Sequence, residues 1–365
     1  MNLLQSIKLA GVASLALSSS LSFASLTFDA DGAGGDAAVQ ADLFDWSPSS
    51  FLAQNGTSAI GNWNSTKQSL ISNNLPSDDA SVTAACGKAC HINVYTHASL
   101  VSTSLASGII TTPSGLGSNY EITITARFTE IVTGAANVGG NDIATFDTVP
   151  NAPAHLEMFF DDFSGSTLAA NNLLGNGFND GKLILSSTSI GDSDGIFQVT
   201  GGPVDLDQAA GDSYAGLPSV IGNGTQGDIE LGTFDLDFSH FITDLADFSF
   251  SFANISQNLP FTSVDPSECF TDSFGGTAIG GTRSNAAADC DGVFGFMAAD
   301  SQGGYAPQIG LVNGLGIGGS DFIAQTDFNS PVSGTTPSPA PLALMSIGLL
   351  GLGFFGRKKR KQAAS

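Results

Sequence analysis

Several short constellations in this chain have residue types that could do chemistry. Gly191-Asp192-Ser193-Asp194-Gly195 has the G-x-S-x-G spacing of a serine nucleophile. That chemistry needs a sharp strand-to-helix turn that presents the hydroxyl beside oxyanion donors. The next residues, Ile196-Phe197-Gln198-Val199-Thr200, read as a strand, so the segment is expected to be a hairpin turn joining strands 182–189 and 196–200. Cys86-Gly87-Lys88-Ala89-Cys90-His91 is one residue longer than a C-x-x-C-H haem attachment motif, with His97 a second imaginable iron ligand. A small disulfide loop leading into a strand accounts for it better. Zinc is disfavoured because Cys269 and Cys290 have no neighbouring histidine. His155 and His240 fall in strand-like stretches and read as structural.

Asp29-Ala30-Asp31-Gly32, with Asp36, resembles the opening of a calcium loop, although the fifth position is Ala33 and the twelfth is Gln40 rather than a bidentate glutamate. Weak calcium at Asp29, Asp31 and Asp36 is therefore the one cofactor reading the residues offer. Further aspartate pairs (Asp161-Asp162, Asp192/Asp194, Asp205/Asp207, Asp235/Asp237) could bind cations on turns or serve a glycosidase. In a chain with 34 acidic residues such pairs arise without selection for catalysis, and Trp46 and Trp63 are its two tryptophans. No catalytic residues are assigned, and the chain is read as a non-enzyme.

The elements that must position these residues are strands. Tyr120, Ile122, Ile124, Ala126 and Phe128 alternate with Glu121, Thr123, Thr125 and Arg127. Leu156, Met158 and Phe160 alternate with His155, Glu157 and Phe159, which predicts burial on both faces. Phe248, Phe250 and Phe252 alternate with serines, and Phe234, Leu236 and Phe238 follow Ile229 and Leu231 with a one-residue slip near Gly232 that reads as a bulge. With 45 glycines and few lysines, arginines and glutamates, the composition favours turns over helices. The expected fold is all-β: a large antiparallel sandwich or jelly roll, as one domain or two, with long Gly/Asp loops. Residues 32–80 and 201–227 are read as such loops.

The two ends differ from this body. Residues 1–24 have an early Lys8, an apolar run and small residues at 22 and 24, the pattern of a signal peptide helix cut between Ala24 and Ser25. The exported body then spans 25–330. Residues 331–341 are a Pro/Ser/Thr spacer, 342–356 a short apolar helix expected to span a membrane, and 357–365 a basic tail. Fourteen apolar residues give a helix of about 21 Å, short for a permanent anchor across a ~30 Å hydrocarbon core. The positive-inside rule keeps Arg357, Lys358, Lys359, Arg360 and Lys361 cytoplasmic. The body carries five basic residues against all 34 acidic ones, a net of −29. Such a surface repels nucleic acid and attracts divalent cations. Four cysteines suit an oxidising compartment. Three pairings are open to them, of which Cys86–Cys90 with Cys269–Cys290 closes the smallest loops.

Pro339-Ala340-Pro341, then Leu342-Ala343-Leu344 and Gly348-Leu349-Leu350-Gly351-Leu352-Gly353 before the basic cluster, resembles the PEP-CTERM sorting signal of Gram-negative bacteria, with Ala340 in place of the glutamate. The resemblance implies processing by an exosortase, a transient inner-membrane stage, and delivery to an exopolysaccharide-rich envelope. Thr27-Phe28-Asp29-Ala30-Asp31-Gly32-Ala33-Gly34-Gly35-Asp36, Phe44-Asp45-Trp46, Tyr120-Glu121-Ile122-Thr123, Phe128-Thr129-Glu130, Leu156-Glu157-Met158-Phe159-Phe160-Asp161 and Gly177-Phe178-Asn179-Asp180-Gly181 resemble the flocculation-associated PEP-CTERM proteins. That likeness implies a surface or extracellular-matrix protein that helps cells aggregate with their polysaccharide. A carbohydrate- or calcium-binding adhesin and a secreted polysaccharide hydrolase or lyase are the alternatives.

Overall fold

The computed structural model describes residues 25–35, 37–138, 141–163, 169–170, 177–191, 193–199, 222–256, 322–326 and 328–334. It also describes the short strands 208–210, 218–220, 269–271, 277–279, 298–299 and 305–306. The signal segment, spacer residues 335–341 and the apolar and basic segments lie outside these residues, whereas 331–334, read as the start of the spacer, belong to the last strand of the body. Among the described residues no helix is long and apolar enough to cross a membrane.

The chain is mostly strand. In order come β1 (Leu26–Asp29), β2 (Ala38–Ala41), β3 (Leu43–Trp46) and β4 (Ser49–Gln54), then helices α1 (Gly56–Ser72) and α2 (Asp79–Cys86). A 3-10 turn, Gly87–Cys90, leads into β5 (His91–Ser104), followed by β6 (Ile110–Thr111), β7 (Glu121–Val138), β8 (Asn141–Thr148), β9 (His155–Asp161), β10 (Lys182–Ser187) and β11 (Asp194–Val199). Next are β12 (Gln208–Ala210), β13 (Pro218–Val220), β14 (Gly222–Glu230), β15 (Asp235–Leu236) and β16 (Leu245–Ser256). The last are β17 (Cys269–Thr271), β18 (Thr277–Ile279), β19 (Ala298–Ala299), β20 (Tyr305–Ala306), β21 (Phe322–Thr326) and β22 (Phe328–Gly334).

Fourteen of these strands form one antiparallel sheet among the described residues. Its pairings run β5–β7–β8–β11–β14–β16–β21–β4 and return to β5, so the sheet curls round on itself. β7 makes the curl. Residues 121–127 of β7 pair with β9 and residues 130–138 pair with β8, both on the edge opposite β5. The register slips between Val132 and Gly134, a bulge that bends the strand as it changes partner. Gly134 permits this approach, because a Cβ there would stand 2.6 Å from Thr145 Oγ1.

One face of the curled sheet is apolar. Phe28 lies 4.9 Å from Phe44 and 5.3 Å from Phe241 between ring centroids, and Phe44 also meets Trp46 and Phe248. Trp46 is fully enclosed, and its indole N–H donates to Ser330 Oγ at 2.9 Å, as a buried indole requires.

The structure corrects several expectations. Residues 32–80 are not a long loop: they hold β2, β3, β4, α1 and the start of α2. Within 201–227 lie β12, β13 and the start of β14. β10 and β11 are strands but do not pair with each other. β10 lies between β9 and β15, and β11 between β8 and β14, so 188–193 is a crossing connection rather than a hairpin turn. No bulge joins residues 229–238 into one strand, since β14 ends at Glu230 and β15 pairs with β10 instead. Phe238 is exposed.

Candidate functional site

The turn after β1 carries the densest polar chemistry among the predicted residues. Asp29 ends β1 and is only 1% exposed. Its N–H donates to the His240 carbonyl at 2.8 Å, and its own carbonyl lies 3.1 Å from His240 Nδ1. A carbonyl can only accept, so Nδ1 carries the imidazole proton. The imidazole lies under Gly32, whose φ of 63° is left-handed and where a Cβ would come within 2.7 Å of Nε2. Two independent demands, space and conformation, thus call for glycine there.

The carboxyl of Asp29 is held on one side only. Oδ2 accepts the Gly34 N–H at 2.6 Å, while Oδ1 is buried with no hydrogen-bond partner among the described residues. Asp31 stands within hydrogen-bonding reach of this carboxyl and is itself oriented by the Ala33 N–H, 3.0 Å from its Oδ1. Burial pushes the Asp29 carboxyl above its usual range. The Gly34 N–H opposes that, the Asp31 carboxyl adds to it, and His240 draws it slightly down. Tyr120 feels the same pair: burial first, then the charges of Asp31 and Asp29, push its phenol up to about 12. Its ring leads through Phe160, 5.4 Å away, to His240, a further 5.0 Å on, and its hydroxyl donates to the Ser114 carbonyl at 3.1 Å. Behind His240, Lys182 pairs with Asp237 and, with Ser239, holds that carboxyl well below the carboxylate range. Burial lowers the His240 pKa, and Asp237 counters it.

Of the three predicted calcium residues, the structure therefore brings Asp29 and Asp31 together, while Asp36 lies outside the described residues. The loop joins two antiparallel strands, β1 and β2, and not two helices. Gln40, where a bidentate glutamate would stand in a helix–loop–helix site, donates instead to Thr27 Oγ1 at 2.8 Å. Among the described residues no group of three or more His, Cys, Asp or Glu side chains is arranged as a metal-ligand set.

A second polar cluster escaped sequence reasoning. Cross-strand partners on the polar face of β5, β7 and β9 form the rungs Tyr95–Arg127–His155, His97–Thr125–Glu157 and Ser99–Thr123–Phe159, with Glu121 opposite Asp161. Paired residues on neighbouring strands present their side chains to one face. His97, Thr123, Thr125, Glu157, Glu121 and Asp161 are all buried. Ala170 and Phe178, between β9 and β10, lie against them. Phe178 stacks on the His97 ring at 3.9 Å and 8°, its carbonyl accepts from Thr123 Oγ1 at 2.8 Å, and the Ala170 N–H donates to Glu121 Oε1 at 2.8 Å. Burial pushes Glu121 up to about 7 against that N–H, and the charges of Asp161 and Asp180 push it further. This cluster ties both residues to the sheet. The alternation of 120–128 placed these polar residues on one face, but nothing in it signals that later residues lie against them.

The remaining predicted residues fall as follows. Cys86 and Cys90 form a disulfide joining the end of α2 to the start of β5. Cys90 Sγ lies 3.4 Å from the Ala59 carbonyl of α1, and the bridge packs against the buried core. His91 is half-buried and its pKa is lowered by burial, then by Lys88. Cys269 lies in β17 and Cys290 outside the described residues, so that pairing is outside them too. Ser193 is buried, its N–H donating to Thr148 Oγ1 at 2.9 Å, and Thr148 Oγ1 donates to the Gly191 carbonyl at 3.0 Å. A strand follows it and not a helix, so the nucleophile elbow is not formed. His155 lies in β9 as expected, whereas His240 belongs to a turn after β15. Ser25 is the first described residue. Ala24 and the sorting residues Pro339, Ala340, Pro341 and 357–361 lie outside.

No family model matches the chain, and neither a curated protein nor a solved structure matches it.

Proposed function

We propose that this is a non-enzymatic exported protein of the cell surface or extracellular matrix, promoting aggregation of Gram-negative cells together with their exopolysaccharide. The observation that carries the reading is the union of an acidic body with a sorting-type tail. Five basic residues meet 34 acidic ones between 25 and 330, and the Pro-Ala-Pro spacer, apolar stretch and basic cluster follow in order. A polyanionic body would not adsorb to anionic lipid or polysaccharide by itself, but divalent cations can bridge it to an acidic polymer. An exosortase-type enzyme would process the tail during a transient inner-membrane stage. In this reading the curled sheet is the core of a sandwich or jelly-roll-like body carrying acidic turns outward.

The adhesin alternative, in which the body recognises calcium or carbohydrate, draws support from the Asp29–Asp31 pair. The hydrolase or lyase alternative is weakened by Ser193, whose surroundings are those of a tied turn.

Settling and clumping of wild-type and deletion cells, compared in calcium and in sodium at equal ionic strength, test the proposal. Weaker aggregation of the deletion strain is expected, with reducing-sugar release from the cells' own polysaccharide unchanged. Equal aggregation in both strains would remove the matrix role, and a loss of sugar release would favour the enzyme.

A further inference from the structure

We propose that Asp29 Oδ1 and the free oxygen of the Asp31 carboxylate bind a divalent cation of the calcium class at the turn between β1 and β2. The inference extends the aggregation reading but stands on the turn's own geometry.

Asp29 is 1% exposed, and one of its carboxylate oxygens meets no donor among the described residues. Buried carboxylate oxygens normally have hydrogen bonds or a metal, because desolvating them without either is unfavourable. The Gly34 N–H takes the other oxygen and so fixes the direction in which the orphaned one points. A second carboxyl, that of Asp31, stands within hydrogen-bonding reach. Two carboxylates this close repel unless a proton or a cation sits between them. In Asp31 one oxygen is committed to the Ala33 N–H, which leaves one oxygen from each residue for a shared ion.

The donor set selects the class of ion. Both donors are hard oxygens, and the nearest nitrogen base is unsuitable. His240 Nδ1 is engaged by the Asp29 carbonyl, and Nε2 faces the backbone of Gly32. Oxygen donors without imidazole or thiolate suit calcium or magnesium over zinc or copper. One carboxylate oxygen from the end of β1 and one from the turn after it, with water completing the shell, suit the larger and less exacting calcium ion. Such a set binds weakly, in the millimolar range in which extracellular calcium modules work. The acid excess of the whole chain, −23 at neutral pH, raises the local concentration of cations around it.

The rival occupant is a proton shared by the two carboxyls. Calorimetry and terbium luminescence on the purified chain, with calcium in competition, separate the two. The comparison is wild type, Asp31→Asn and Asp244→Asn, the last removing the same charge from an exposed loop outside the site. A saturable calcium site is expected in wild type and in Asp244→Asn, with affinity at least tenfold weaker in Asp31→Asn. Identical curves for the two variants would overturn the proposal, because diffuse attraction to the acidic surface depends only on charge. An equal response to magnesium and calcium would overturn it too. Hydrogen exchange on wild-type protein gives a readout that needs no variant: calcium should slow exchange of the Ala33 and Gly34 amides, and unchanged exchange there would refute the site. Binding to purified protein and clumping of cells fail separately, so loss of either leaves the other reading to stand on its own result.

Discussion

Glu130 sits on β7 between Phe128 and Val132, in the register that faces the apolar core, and is 2% exposed. One of its oxygens, Oε1, has no hydrogen-bond partner among the described residues. Burial, reinforced by the charge of Asp147, pushes its carboxyl up to about 8 from an ordinary 4.5. The folded chain therefore keeps a proton that the unfolded chain has lost over this range, and stability declines as pH rises from about 4.5 to about 8. Glu130→Gln keeps the shape and removes the titration. The variant is expected to match wild type near pH 4 and to exceed it at pH 9 by on the order of 4 kcal/mol in denaturant unfolding. Glu121, pushed up to about 7, titrates in the same direction and leaves a residual slope in the variant. A variant no more stable than wild type at pH 9 would mean that Glu130 is solvated or paired in solution. The inward parity of Glu130 was legible, since it continues the alternation that begins at Tyr120. Its isolation was not, because that depends on Ile92 and Thr148, the strand partners on either side.

At the scale of elements, strong two-residue alternation was the reliable signal. β7, β9 and the Phe248–Phe252 part of β16 lie where the pattern placed them, and both faces of β9 are largely buried. α1 was illegible for a physical reason. Its residues are rich in Gly, Ser, Asn and Thr, and its first turn lacks an acid. Asn55 before it has a φ of 66° and makes no side-chain cap. Propensity does not hold such a helix; packing does. Ala59 and Trp63, one turn apart, are both fully buried. The Trp63 indole N–H donates to Thr83 Oγ1 of α2 at 3.1 Å, and Thr83 in turn donates to the Val132 carbonyl of β7 at 3.2 Å. Trp63→Ala should therefore cost about 3–5 kcal/mol and reduce helical circular dichroism, since tertiary contact is what forms the helix. A loss under 1 kcal/mol with helicity intact would show that α1 forms without docking. Cys86–Cys90 closes a loop of only a few residues, so replacing both by serine should cost roughly 2 kcal/mol in thermal unfolding. No change in melting on that replacement would mean that the α2–β5 junction holds without the bridge.

At the scale of the molecule, the curl is completed by strands from opposite ends of the sequence. β21 pairs with β4 and β22 with β3, across nearly three hundred residues. Contacts so distant in sequence are made at a large loop-closure cost, so folding is expected to be slow and the closing strands to matter disproportionately. Deleting 322–334 should expose the hydrogen-bonding edges of β4 and β3 and abolish cooperative unfolding, with dye binding and association of the truncated chain as the signs. A truncated chain that stays monomeric and unfolds in one sharp transition would show that the curl closes without them. Local alternation could not reveal this closure, because Phe322, Ile323 and Ala324 carry no mark that pairs them with Ala53, Leu52 and Phe51.

The position of β22 also sets how the protein bears load. It ends at Gly334, five residues before Pro339, and its partners Asp45, Phe44 and Leu43 lie on a strand that is paired on its other edge to β5. Any tension applied to the chain beyond Gly334 therefore enters the fold through β22 and is handed to β3 across their ladder. Trp46 and Ser330 stitch the same two strands together from the core side. The resistance of this seam, more than the total stability of the sheet, sets the force at which a pull on the chain beyond residue 334 would open the body.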